Sequence, residues 1–315
     1  MERKAIIISL SGLVLTKNEK KLFQKPLPWG VILFKRNIRS YDQIKKLTKS
    51  IRKITKDQRY PILIDEEGGS VSRLSNIFDN KPFSQRFFGN LYETDKNLST
   101  KIYKYYIGQI SNYLKDIGIN INTVPVLDKL YSTTSKFLIN RIYSKNNDVI
   151  KKLGNLCIDS YKKNKILTVI KHLPGHGIAN KDSHKELPIV KKNLKYLLKN
   201  DFSVFKNTRS YLGMTSHVLF DKIDKNFCVT HSKLMIKKII RKNINFKGLI
   251  ISDDICMKAL KYDLYKNALK SLEAGCNLVL YCGANYREMR NLINKIPLID
   301  NFTKKKTSQI YKFLS

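Results

Sequence analysis

The densest chemistry in the chain lies at residues 171–188, KHLPGHGIANKDSHKELP, which hold three of its five histidines, His172, His176 and His184. Pro174, Gly175 and Gly177 force an irregular loop there. Asp182 and His184 stand two apart, close enough for a carboxylate to hold an imidazole, fix its tautomer and raise its basicity. An imidazole titrating near neutrality can donate a proton and then take one back at physiological pH. The same three histidines could instead ligate zinc, although a Pro-Gly loop is unlike the helical spacing of common zinc motifs. A loop of satisfied structural histidines is the remaining alternative.

Two further segments put acids at the ends of apolar runs. Residues 248–254, GLIISDD, end on Asp253 and Asp254. A carboxylate at the mouth of a buried strand can serve as nucleophile, metal ligand or helix cap. Asp254 stands where it could cap a following helix, and spacing does not choose between the two. Residues 65–73, DEEGGSVSR, combine acids, paired glycines and an arginine. Asp65 and Arg73 could bracket adjacent sugar hydroxyls or form a rim ion pair. Arg141 follows FLIN as a weak signal by itself.

The elements that must carry these residues read as strands alternating with helices. Short apolar runs, rich in β-branched residues, occur at 5–10, 30–34, 61–64, 119–127, 166–170, 212–218, 248–251 and 277–282. Continuous apolarity is the pattern of parallel strands buried on both faces. Helical spacing with polar faces is expected over 41–54, 98–115, 148–163, 192–205, 232–242 and 262–274, with a closing helix at 301–314. The 68–118 interval should hold a loop as well as a helix. Right-handed βαβ units repeated eight times predict an α/β fold, a single-domain (β/α)8 TIM barrel spanning 1–315. A doubly wound open sheet is the alternative, but no GxGxxG follows the first strand. In a barrel, Asp65 and Glu66, Asp128, Lys171 and His172, His217, and Asp253 with Asp254 all fall at strand ends, toward one rim.

Composition narrows the function. The 315 residues are 42% hydrophobic, which supports a sizeable core. Net charge is +35, and 48 of the 60 basic residues are lysine, spread along the chain. Such a field could attract a polyanion. Specific nucleic-acid readers lean on arginine forks, so compositional drift is the preferred reading and no nucleic-acid partner is expected. Five cysteines without a CxxC point to a reducing compartment rather than disulfides or a zinc ribbon. The apolar run at 5–15 loosely mimics a signal peptide, but it is interrupted by Ser9, Ser11 and Gly12 and reads better as a first strand. No run reaches the ~18 apolar residues of a membrane span.

With these residues in view, the chain resembles the bacterial β-N-acetylhexosaminidases of glycoside hydrolase family 3. The resemblance runs in order through GVILFKRN at 30–37, DxEGGxVxR at 65–73, PVLD at 125–128, Asn140-Arg141, the KHLPGHG loop with its DSH, MTSH at 214–217, SDD at 252–254 and AGC at 274–276. It implies Asp253 as nucleophile, His184 as acid/base held by Asp182, and Asp65, Arg73, Arg141, Lys171 and His172 as sugar-binding residues. It also implies a cytoplasmic enzyme of peptidoglycan recycling that removes terminal β-linked N-acetylglucosamine from anhydromuropeptides. No cofactor, metal or membrane partner is implied, and the expected state is a monomer. Leu173 replaces a usual Phe, Glu66 stands where His is common, and Ile255-Cys256 replaces a usual Leu. Leu173 and Glu66 could therefore alter the pocket.

The implied reaction is double displacement with retention, in which a His–Asp dyad replaces one of the usual two carboxylates. Pro-Gly content suggests that the loop brings His184 in after sugar binds. Two rivals remain. A phosphorylase would use the same residues with phosphate in place of water, and a non-catalytic basic barrel would hold polyanions.

Overall fold

The computed structural model describes residues 2–24 and 26–315. Among the described residues, ten strands form in chain order: β1 (Arg3–Ser9), β2 (Leu27–Leu33), β3 (Ile62–Ile64), β4 (Ile121–Asn122), β5 (Leu167–Leu173), β6 (Ile189–Val190), β7 (Leu212–Thr215), β8 (Leu219–Phe220), β9 (Leu249–Asp254) and β10 (Leu278–Tyr281). Eight of them close a parallel barrel in the order β1-β10-β9-β7-β5-β4-β3-β2, while β6 and β8 pair separately. This is the expected (β/α)8 barrel. Residues 5–9 of the run mimicking a signal peptide lie in β1, hydrogen-bonded between β2 and β10, and the strand ends at Ser9.

The strands are buried on both faces, as continuous apolarity requires. All seven residues of β2 and of β5 are buried, Lys171 and His172 included. Regular pairing breaks near the rim. The β5–β7 register shifts between Ile170 and Leu173, and the β9–β10 register shifts between Leu278 and Leu280. Such irregularities re-aim side chains, and here they flank the segments that carry Lys171, His172 and Asp253.

The helices are α1 (Lys17–Leu22), α2 (Tyr41–Thr55), α3 (Gln85–Thr94), α4 (Lys96–Asp116), α5 (Lys136–Ile139), α6 (Asn147–Lys163), α7 (Leu194–Lys199), α8 (Leu264–Ala274), α9 (Tyr286–Lys295) and α10 (Asn301–Leu314). Helix α2 shows why they form. Ser40 caps its start, and Ile44, Leu47, Thr48, Ile51 and Thr55 make one buried stripe against the strands.

Three expectations change. The 68–118 interval holds two helices, α3 and α4. The helix expected over 192–205 is α7 followed, after a break at Asn200, by a 3₁₀ turn at Asp201–Phe205. The break seats Asp201 under the loop of strand β5, where a β-carbon on Gly175 would lie 3.0 Å from that of Asp201. The helix expected over 232–242 is a wide π-helical stretch, Met235–Asn243.

Candidate active site

A cavity of about 410 Å³ opens at the rim formed by the strand C-termini. Its lining includes Asp65, Arg73, Arg141, Lys171, His172, His184 and Asp253, seven of the eight residues expected at a site. Asp182, the eighth, holds His184 from behind. Its Oδ1 accepts the Nδ1–H of His184 at 2.8 Å and the His184 backbone N–H at 3.0 Å. Against a modest burial cost, these contacts keep the Asp182 carboxyl below its ordinary range. With Nδ1 committed, Nε2 is the nitrogen of His184 left for proton exchange. The ring also packs in a T-shape against Phe137 at 5.7 Å between centroids.

The two carboxylates of strand β9 part in chemistry. Burial would raise the Asp253 carboxyl. The imidazoles of His217 and His172, the Asp254 N–H at 2.8 Å and the charge of His184 outweigh that and hold it below the ordinary range. Burial raises Asp254, and the Asp253 charge adds to the rise, although the Cys256 and Cys282 N–H groups each donate to its Oδ1 at 3.1 Å. Asp253 is therefore the more readily ionised of the pair. Asp254 does not cap the next helix as spacing suggested. Asp263 caps α8, and Asp254 instead ties the turn at Cys256 to the end of β10.

Opposite lies a buried ion cluster. Arg141 donates from Nε and Nη2 to the two carboxylate oxygens of Glu67 at 2.8 and 2.9 Å. Lys171 Nζ lies 2.6 Å from Glu67 Oε1 and 3.2 Å from Asp65 Oδ1. Arg73 reaches Asp65 Oδ2 at 3.2 Å, and Thr123 donates its hydroxyl to Asp65. Despite burial, Lys171 and Arg73 hold Asp65 far down, and Arg141 and Lys171 hold Glu67 at about 2. The result is an ion-paired array of donors and acceptors on the cavity wall, suited to vicinal hydroxyls.

Glu67 was missed as a site residue, although period-two geometry could have found it. Asp65 and Glu67 leave the strand on one face, and Glu66 leaves on the other. Glu66 does not reach the cavity, contrary to the expected effect on the pocket. It is buried in the loop behind, accepting from the Arg73 and Leu74 N–H groups and from Asn80. Gly68 and Gly69, at φ +79° and +63°, let the chain turn tightly against Phe83 and Ser84. Leu173 is fully buried in the barrel and stays out of the cavity lining.

The other rim residues act as supports. Asp128 accepts the Nδ1–H of His172 at 2.7 Å and the His176 N–H at 2.7 Å. His217 is fully buried, and its Nε2 lies 3.0 Å from the Asp254 carbonyl, holding the end of β9. Gln85, the first residue of α3, donates to the Arg141 carbonyl at 2.8 Å, so the helix absent from sequence expectation positions a site arginine. Among the described residues, no group of three His, Cys, Asp or Glu side chains could hold a metal ion. His172 is committed to Asp128 and His184 to Asp182.

Glu67→Gln is expected to cost about 3–5 kcal/mol, because it strands two buried cations. The depressed Glu67 carboxyl stabilises the fold fully above the ordinary carboxyl range, and that contribution is lost as pH falls towards about 2. Urea unfolding should show a lower midpoint for the variant, with a shallower loss between about pH 4.5 and about pH 2. An unchanged midpoint would remove the cluster from the stability account.

A barrel whose rim cavity brings together a strand-end carboxylate held below its ordinary range and a carboxylate-held imidazole has the arrangement of a barrel enzyme with a candidate acid–base site. Residues 7–307 match the glycosyl hydrolase family 3 N terminal domain. The chain is 31% identical over 282 residues to a β-hexosaminidase of Nitrosomonas eutropha, covering 88% of this chain and 80% of that one. It is 30% identical over 286 residues to a β-hexosaminidase of Neisseria meningitidis, covering 89% and 78%. A crystal structure of NagZ from Neisseria gonorrhoeae in complex with N-trifluoroacetyl-D-glucosamine aligns with a TM-score of 0.88. It is 25% identical and covers 100% of this chain and 91% of that one. The chain belongs to glycosyl hydrolase family 3 and is a glycoside hydrolase.

Proposed function

We propose that residues 1–315 form one catalytic unit that hydrolyses terminal β-linked N-acetylglucosamine from peptidoglycan fragments, the anhydromuropeptides, with retention. The observation that carries this reading is a single cavity lined by both Asp253 and His184, with the His184 Nδ1 tied to Asp182. Asp253 attacks the anomeric carbon. His184, protonated at Nε2, gives its proton to the leaving oxygen. The glycosyl-enzyme ester is then hydrolysed by water whose proton returns to His184. Asp65, Arg73, Arg141, Lys171 and His172 bind the sugar hydroxyls and orient C1 toward Asp253. Asp182 keeps the ring in the tautomer that offers Nε2 and stabilises the imidazolium.

The names of the relatives support the sugar: two are β-hexosaminidases, and one structure carries an N-acylated glucosamine. Five free thiols suit a reducing compartment, in line with a cytoplasmic location. The test is incubation with a disaccharide muropeptide, with and without phosphate. Free N-acetylglucosamine at a rate independent of phosphate is expected. N-acetylglucosamine 1-phosphate formed only with phosphate would favour the phosphorylase reading, and no cleavage at all would reject the substrate.

A further inference from the structure

The loop that carries His184 has no regular secondary structure between Pro174 and Pro188, so its position depends on a few anchors. Gly177 seats its first half. The Gly177 carbonyl accepts from Thr134 Oγ1 at 2.6 Å, and a β-carbon at Gly177 would meet the Lys129 carbonyl. The second half is held differently. Ser183, buried between Asp182 and His184, places its hydroxyl 3.2 Å from His176 Nε2, and its carbonyl accepts the Ala259 N–H at 3.2 Å.

His176 is odd for a structural histidine. It is 1% exposed, yet its Nδ1 is buried with no hydrogen-bond partner among the described residues, and its one side-chain hydrogen bond runs to Ser183. Most buried side-chain polar atoms are paired, so the bond to Ser183 is the contact that fixes this ring. Burial, with His172 beside it, pushes the ring down to about 4, so it is neutral at pH 7 and carries one N–H. Its backbone is fixed by Asp128, the same carboxylate that holds His172, and its ring packs in a T-shape against Phe137, as does that of His184, at 5.6 and 5.7 Å between centroids. The His176–Ser183 bond therefore joins the rigid end of β5 to the residue adjoining His184.

We infer that His176 is a positioning residue: its hydrogen bond to Ser183 is the latch that sets where the Asp182–His184 pair lies over the cavity. The inference rests on His184 being the acid/base. Without the latch the dyad stays intact but stands away from the leaving oxygen. The latch matters only when the leaving group needs a proton.

The test compares kcat/KM for a 2,4-dinitrophenyl and an alkyl β-N-acetylglucosaminide across His176→Ala, Ser183→Ala, Ser183→Thr, the double alanine variant and His184→Ala. A displacement of about 1 Å costs on the order of 10²-fold, so each single alanine variant should lose about that much on the alkyl substrate. Each should stay within about threefold on the dinitrophenyl one, which leaves without a proton. Ser183→Thr keeps the hydroxyl and should restore most of the loss. The double variant should be no worse than the worse single one. Equal losses on both substrates, or losses that multiply in the double variant, would overturn the latch. Ser183→Ala removes a single oxygen, so it carries the test if His176→Ala does not fold. A His184→Ala variant without leaving-group bias would instead overturn the acid assignment beneath it.

Discussion

Asp253→Ala is expected to abolish hydrolysis of an aryl β-N-acetylglucosaminide, with kcat falling by about 10⁴-fold or more, the order that loss of a covalent nucleophile costs. The proposed sugar-binding residues Asp65, Arg141 and Lys171 lie on other strands and loops, held by their own ion pairs, so binding of N-acetylglucosamine should survive. The alanine also opens the face that the carboxylate occupied. Azide entering there should give the α-glycosyl azide from an activated substrate. Steady-state kinetics and product stereochemistry check the two halves. A variant that retains a tenth of the activity would exclude Asp253 as nucleophile. Asp254→Asn provides the contrast, since Asp254 spends its carboxylate on two backbone N–H groups and should not show azide rescue.

His184→Ala should be selective rather than uniform. General acid–base catalysis is worth about 10²–10⁴-fold, and the loss should reach that range on the natural disaccharide or an alkyl glycoside. A dinitrophenyl glycoside should lose little in kcat/KM, because its leaving group departs as a stable anion. Its kcat should still fall, since release of the glycosyl-enzyme needs a base for water. Azide needs no base and should restore turnover, here giving the β-glycosyl azide after a second inversion at C1. Equal losses on all substrates would remove the acid/base role from His184 and leave the exposed Asp182–His184 pair as a loop ornament.

Much of this site was legible in the sequence because its residues sit where chain geometry is most constrained. Strands buried on both faces write themselves as apolar runs, and the polar residues that end those runs must share the barrel rim. Asp65, Lys171, His172 and Asp253 were readable for that reason. What was not legible depends on packing between distant segments. Helix α3 begins with a glutamine that serves Arg141, a contact 56 residues away with no local signature. The 192–205 helix breaks at Asn200 so that Asp201 can back the β5 loop, which its own helical spacing does not reveal. The acid that caps α8 is Asp263 rather than Asp254, because β9 runs on to Asp254 and the chain then turns before the helix starts. Glu66 and Glu67 are adjacent and chemically alike, and only the alternation of the strand exit decides that Glu67 faces the cavity and Glu66 the loop.

Covalent trapping tests the central claim most directly. A fluorinated N-acetylglucosaminyl fluoride that forms the glycosyl-enzyme but hydrolyses slowly should inactivate the protein with one-to-one stoichiometry. Peptide mass spectrometry should then find the sugar ester on Asp253. A label on Asp254 or another acid, or turnover through an inverted product with no adduct at all, would contradict the account.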